Sequence, residues 1–323
     1  MGKKLNPFKA IVFAASFIFI VSLTGCPAGT PRNQERQVKF AADPEFVLQE
    51  EGLAALEAHY DFHFPYVYEM ALGLTHEALR AGDVDAAKGF TTDGKIKELD
   101  LINLKDDKSF FPASNPAPVI KKDILKQYPK IKDILSEISS RLDTETMIYL
   151  NYMADLEEYT PAETAYAWLQ KEGLLAEELK EFVNEGMEKV IIGSKEYMEQ
   201  LILGHITMIA LRHEGIPVLD QTQLGDTWAN RNALMKGDIH MYWEYTHTAW
   251  NTIYEKEETI SEAEEIYELV AGKDYELGLI WLDYAPLTKT RTIMMRREHA
   301  EQLEISTISG LAAWIRLQQE QNF

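Results

Sequence analysis

Gly237-Asp238-Ile239-His240-Met241-Tyr242-Trp243-Glu244-Tyr245-Thr246-His247-Thr248-Ala249-Trp250 sets four aromatic rings beside two threonine hydroxyls. The run Ile239 to Tyr245 is rich in β-formers and follows a Gly-Asp turn, so it predicts a strand, with Thr246 and Thr248 where the strand gives way to a loop. Strand ends are where α/β proteins bind ligands. Tyr242, Trp243 and Tyr245 therefore read in two ways, as half-buried sheet residues or as walls of a pocket.

The residues before this strand have a counterpart early in the chain. Glu77-Ala78-Leu79-Arg80-Ala81-Gly82-Asp83-Val84-Asp85 is mirrored by Arg231-Asn232-Ala233-Leu234-Met235-Lys236-Gly237-Asp238-Ile239, each reading as helix, Gly-Asp turn and strand. Two such units suit a protein of two related lobes. Elsewhere short apolar runs (Val38 to Ala42, Val84 to Ala87, Val190 to Ile192) alternate with amphipathic stretches (Ala54 to Tyr60, Gly73 to Ala81, Ile131 to Arg141, Gln200 to Arg212), which predicts an α/β fold. Asp123 to Leu175 is mostly helical, and Pro161 suits the first turn of its last helix. Gly173 to Glu188 reads as a connector.

At 323 residues with 46% hydrophobic content, the chain has room for two globular lobes. Its amino terminus orders Lys3, Lys4 and Lys9, an apolar run from Ala10 to Val21, and Leu23-Thr24-Gly25-Cys26, the pattern of a secretory signal over residues 1–25. The apolar run is too short for a membrane span. Leu-Thr-Gly-Cys is similar to the bacterial lipobox, whose cysteine is acylated and becomes the first mature residue, so Cys26, the only cysteine, is the expected lipid attachment point. Residues 26–37 then form a tether. The expected location is extracytoplasmic, anchored to a membrane as a lipoprotein.

The formal charge is −20, and −23 without the signal, which carries three lysines and no acid. Such a field disfavours nucleic acid and weakly favours cationic or zwitterionic small ligands. No Gly-x-Ser-x-Gly, His-Glu-x-x-His, phosphate loop or Cys-x-x-Cys occurs, so neither an enzyme nor a cofactor is predicted. His59 and His63 stand four apart without further ligands nearby, and no metal site is expected.

Val190-Ile191-Ile192-Gly193-Ser194-Lys195, Glu199-Gln200, Leu224-Gly225-Asp226-Thr227, Gly237-Asp238-Ile239 and Trp243-Glu244-Tyr245-Thr246 together resemble the substrate-binding proteins of osmoprotectant ABC importers, the glycine betaine, choline and carnitine binders. Phe40-Ala41-Ala42-Asp43-Pro44-Glu45-Phe46, Gly89-Phe90-Thr91-Thr92-Asp93-Gly94-Lys95-Ile96, Asp106-Asp107-Lys108-Ser109-Phe110-Phe111-Pro112 and Ala117-Pro118-Val119 resemble the rest of that pattern. The order is exchanged. Residues 189–323 look like the family's beginning and 38–172 like its end, so the chain looks circularly permuted. The resemblance implies a two-lobed type II periplasmic-binding-protein fold with a hinge and a cleft. One lobe is then discontinuous, 38–118 plus 291–323, and the other continuous, 119–290. It also implies a small polar ligand, betaine-like or a carboxylate-bearing relative, and an ABC permease in the membrane as partner. A sensory receptor or an enzyme on the same hinged scaffold is the alternative.

Family members hold a quaternary ammonium in a box of tyrosines and anchor the ligand's carboxylate with basic and hydroxyl groups. Carried over, the resemblance puts a cage tyrosine at Tyr245, with Trp243 beside it, a hydroxyl anchor at Thr248 and a lysine at Lys195. Other positions depart: Gln49 stands where the family has an arginine, Phe90 and Ser114 where it has cage tyrosines, Arg291 where it often has another, and His247 where it has glycine. Two readings of Arg291 stay open. Either it shares an anionic group of the ligand with Lys195, or it faces solvent.

Overall fold

The computed structural model describes residues 38–157, 159–175, 180 and 188–320. The expected signal, Cys26 and the tether lie outside the described residues, as does most of the expected connector. No described helix is long and apolar enough to cross a membrane.

Ten strands form two mixed five-stranded sheets. The strands are β1 (Lys39–Ala42), β2 (Tyr66–Glu69), β3 (Ala86–Phe90), β4 (Leu101–Asn103), β5 (Pro116–Lys121), β6 (Val190–Gly193), β7 (Val218–Gln221), β8 (Met241–Tyr245), β9 (Leu279–Trp281) and β10 (Arg291–Arg296). The first sheet has the order β2-β1-β3-β10-β4 and the second β7-β6-β8-β5-β9. In each, three parallel strands are followed by an antiparallel fourth, β10 in one and β5 in the other. Each fourth strand comes from chain that has just left the opposite sheet, so two segments cross between them, 104–115 and 282–290. This is the α/β, two-lobed arrangement of type II binding proteins. Because β5 belongs entirely to the second sheet, it runs across the expected lobe boundary at 118/119.

The two predicted helix–turn–strand units form as read. Helices Leu72–Ala81 and Thr227–Lys236 end at Gly82 and Gly237, both left-handed (φ 79° and 85°), and lead into β3 and β8. Glycine is needed there because a Cβ crowds the backbone in that conformation. Arg296 on β10 donates to the Leu79 and Val84 carbonyls (2.5 and 2.9 Å) and seals the first turn.

Between β5 and β6 lie helices Lys122–Gln127, Lys130–Ser140, Thr144–Asp155 and Pro161–Lys171. Ile131, Leu135 and Ile138 face inward at helical spacing, and Asp143 and Thr160 cap the last two helices, Thr160 in a reciprocal box with Glu163. These helices pack with Met198–His213 over one face of the second sheet. The first sheet is filled by Phe40, Phe46, Leu56, Phe64, Ile293 and Leu311. His59 ends up apart from His63, because the helix Leu53–Tyr60 stops at left-handed Asp61. His59 meets the Lys108 carbonyl and His63 meets Glu57.

The helix Thr144–Asp155 also touches the first lobe. Asn151 donates to the Thr92 carbonyl at 2.8 Å, and a Cβ on Gly94 would come within 2.7 Å of the Tyr152 nitrogen. Only a glycine permits that approach. Gly94→Ala should lower unfolding free energy by roughly 1–3 kcal/mol through backbone overpacking. Gly73→Ala, on an open helix position with nothing within 4 Å, should instead stabilise by roughly 0.5–1 kcal/mol. Urea denaturation of both variants checks this, and equal midpoints would refute it.

Candidate functional site

The chain leaving β3 and the chain leaving β6 meet at one cleft. The chain leaves β6 through Ser194-Lys195-Glu196-Tyr197 into the helix Met198–His213, whose first turn carries Glu199. A carboxylate there faces the positive end of the helix dipole. Leaving β3, the chain runs through Thr91, Thr92, Asp93 and Gly94. A cavity of about 430 Å³ lies between these two exits, lined by Phe90, Thr92, Asp93 and Gly94 on one side and Asn151, Asp155, Tyr197, Met198 and Glu199 on the other. Lys289, from the crossover 282–290, completes it.

Glu199 is the chemical centre of the cavity. It is 2% exposed and accepts hydrogen bonds from the Tyr245 hydroxyl and from Asn151 Nδ2 (3.1 Å), while Lys289 Nζ stands 3.4 Å away. Burial, with the Glu199 carboxylate and Tyr197 alongside, pushes the Tyr245 hydroxyl well above the usual tyrosine range. Burial and then Glu199 do the same to Tyr197, whose hydroxyl end is enclosed while about a third of the residue remains exposed. The Lys289 ammonium lies 4.6 Å from the centre of the Tyr197 ring. At the rim, partial burial and the neighbouring Asp93 carboxylate raise the Asp155 carboxyl. Burial also opposes ionisation of Asp93, yet its pKa falls, because His76 at 3.1 Å and the Lys95 amide favour the anion. Three carboxylates and one lysine thus face the cavity.

The expected site residues separate into groups. Phe90 lines the cavity, under Lys88 Nζ at 4.2 Å from its ring centre. Tyr245 is buried and reaches the cavity only through its bond to Glu199; it does not line the space opposite Phe90. Lys195 is 4% exposed and committed to Glu244, Nζ to Oε1 at 2.5 Å, so it faces inward. Trp243 lies away from the cavity: it is 1% exposed and donates from Nε1 to Thr207 Oγ1 at 2.9 Å within the core. Trp243 shares its strand face with Met241 and Tyr245, and only Tyr245, at the strand end, reaches Glu199.

Thr246 to Thr248 form a single helical turn in place of the expected loop, continuing into a π-helical turn at Ala249–Ile253. Thr248 and His247 are half-buried there. Burial, then repulsion from Arg291, lowers the His247 pKa. The Arg291 Nη2 donates to Gln49 Oε1 (2.5 Å) and reaches Glu45 (3.5 Å), with the guanidinium 5.9 Å from the Phe46 ring centre. Arg291 and Gln49 pair with each other, both half-buried and neither lining the Glu199 cavity. Arg291 instead borders a second space of about 480 Å³ between the crossovers, among Thr91, Asn115, Thr288 and Thr290. Ser114 is buried in a crossover, its amide donating to Thr288 Oγ1 and its carbonyl accepting from the Lys289 amide.

Tyr197, Glu199, Asn151, Asp155 and Lys289 were absent from the expected set. Tyr197 and Glu199 lie just beyond the C-terminal end of β6, where the strand-end rule points. Lys289 has no comparable local signal, since its place in the cleft comes from the crossover.

The family model described as the substrate-binding domain of ABC-type glycine betaine transport system matches residues 29–171 and 188–319. Among curated relatives, the chain is 38% identical over 135 residues to the "Ergothioneine transport permease/ergothioneine binding protein EgtU" of Helicobacter pylori, covering 42% of this chain and 24% of that one. It is 38% identical over 138 residues to a glycine-betaine-binding protein of Pseudomonas aeruginosa, covering 42% and 44%. It is 31% identical over 171 residues to the carnitine transport binding protein OpuCC of Listeria monocytogenes, covering 51% and 56%. The matched regions thus span between a quarter and just over half of these relatives.

Proposed function

The chain belongs to the family of substrate-binding domains of ABC-type glycine betaine transport systems, and we propose that it is the extracytoplasmic solute receptor of an ABC importer. It takes a small betaine-like cation into the cleft and presents it to a membrane permease. The observation that carries this reading is the cavity itself, where the Tyr197 and Phe90 rings flank the buried Glu199 carboxylate at the strand ends. A methylated ammonium has no N–H to donate, so ring faces and a nearby negative charge are what replace its hydration, each good ring contact contributing roughly 0.5–2 kcal/mol. Contacts from both lobes are complete only when the cleft is closed, so binding energy favours closure. Choline, glycine betaine and carnitine are the first ligands to test by thermal shift, where a ligand at 100 times its Kd stabilises by about 2.7 kcal/mol. Tyr197→Ala should weaken the ligand that binds by roughly 1–2 kcal/mol in calorimetry. No shift with any of the three would overturn the reading.

We also infer the lipid anchor and the permuted order. The anchor rests on the Leu23-Thr24-Gly25-Cys26 pattern. Cys26→Ser should move the protein from the membrane fraction to the soluble one, and retention of the processed chain in the membrane would count against acylation.

The permuted order rests on the sequence, where 189–323 resembles the family's beginning and 38–172 its end. A chain that places 188–320 ahead of 38–171 should fold with the same circular-dichroism spectrum and the same ligand affinity. Failure to fold, with any linker between 320 and 38, would oppose it.

A further inference from the structure

Among the described residues, three basic side chains near the cleft are held by partners that do not line the cavity. Lys195 is on Glu244 (2.5 Å), Lys88 on Asp43 (2.9 Å) and Arg291 on Gln49 (2.5 Å). Lys289 alone among the described lysines and arginines lines the Glu199 cavity. Its ammonium touches the two groups best suited to a ligand cation, the Tyr197 ring face at 4.6 Å and Glu199 Oε2 at 3.4 Å.

We propose that Lys289 is the specificity-determining residue of the cleft: its ammonium occupies the cation position in the unliganded protein, and a ligand binds by displacing it. This rests on the reading of the cleft as a cation receptor.

Three features of the structure support exchange. The backbone of Lys289 is fixed, because its amide donates to the Ser114 carbonyl at 2.8 Å while the Thr288 and Thr290 carbonyls accept from the Thr91 hydroxyl and amide. Its side chain is 29% exposed, which gives the ammonium a way out to water. The distance to Glu199 exceeds the 2.7–2.9 Å usual for a charge-assisted N–H···O bond, so the contact is a loose one.

The exchange also explains selectivity. Glu199 is 2% exposed, and a buried carboxylate without a cation is costly. A cationic ligand replaces one positive charge with another and leaves the carboxylate partnered. A neutral molecule of the same shape cannot do so, and an anion would meet Glu199, Asp93 and Asp155. The lysine thus excludes non-cations by holding the place until a cation arrives.

Calorimetric titration of choline and of glycine betaine into the wild-type chain, Lys289→Met and Lys289→Arg tests the assignment. Lys289→Met removes the competitor, so choline should bind about tenfold more tightly, within the range of one ring–cation contact. Lys289→Arg restores a tethered cation and should return the affinity toward wild type, which a merely structural role would not require. Affinity for choline unchanged or weakened in Lys289→Met would overturn the displacement role, and selective weakening of glycine betaine would make Lys289 a carboxylate anchor instead. Binding of neither probe by any of the three proteins would instead count against the cation-receptor reading beneath it.

Discussion

Two carboxylates with almost no exposed surface, Glu199 in the first turn of the helix after β6 and Glu244 near the end of the neighbouring β8, set the architecture of the cleft, which follows from keeping them partnered. Removing a carboxylate from water costs several kcal/mol unless donors replace the lost hydration. Glu244 receives Lys195 Nζ, the Tyr242 hydroxyl (3.0 Å) and the Tyr245 amide (2.8 Å). Glu199 receives the Tyr245 hydroxyl and Asn151, with Lys289 at ion-pair distance. The donors come from the exit of β6, from β8, from the helix Thr144–Asp155 and from a crossover, so the two acids gather distant stretches of chain around one point.

Tyr245 links the two acids, its amide to Glu244 and its hydroxyl to Glu199. This changes what Lys195 and Tyr245 do. Of the residues that the family resemblance places against a ligand, Lys195 and Tyr245 form a supporting layer here, while Phe90 lines the cavity together with Tyr197 and Glu199. A carboxylate presented to a ligand acts well only when its own position is fixed by packing and hydrogen bonds. Lys195, Glu244 and Tyr245 provide that fixity.

Most of the fold was legible in the sequence, because local rules decide it. The two Gly-Asp turns form as read, since Gly82 and Gly237 occupy backbone conformations that few other residues accept. The helical spacing of Ile131, Leu135 and Ile138 is the buried face observed. The site was less legible. A cluster of aromatics on a strand carries no label saying which of them face the core, and Trp243 packs beneath helices whose position depends on the whole lobe. Arg291 and Gln49 were both singled out as departures from the family pattern. They bond to each other, Gln49 supplying an acceptor to Arg291, a pairing that local pattern does not reveal. Lys289 was overlooked because its role depends on a crossover bringing residue 289 to the mouth of strands near 90 and 193, a relation with no counterpart in local pattern.

The crossovers also limit how the lobes move. Asn115 Nδ2 donates to the Ala285 and Leu287 carbonyls (3.1 and 2.7 Å), and the Ser114 amide donates to Thr288 Oγ1 (3.1 Å), so the two segments are tied side by side. Thr91 then joins the end of β3 to the same segment through the Thr288 and Thr290 carbonyls. Two strands of chain laced together resist twisting against one another more than they resist bending as a pair. Opening therefore favours rotation of the lobes about the laced segments, with Thr92–Asn151 among the contacts that must part on the cleft side. Lys289 sits on the laced segment, between the last strand of one sheet and the fourth strand of the other. A side chain anchored there keeps its reach to Glu199 and Tyr197 through small changes in lobe angle, as a cation that must stay in place until it is exchanged requires.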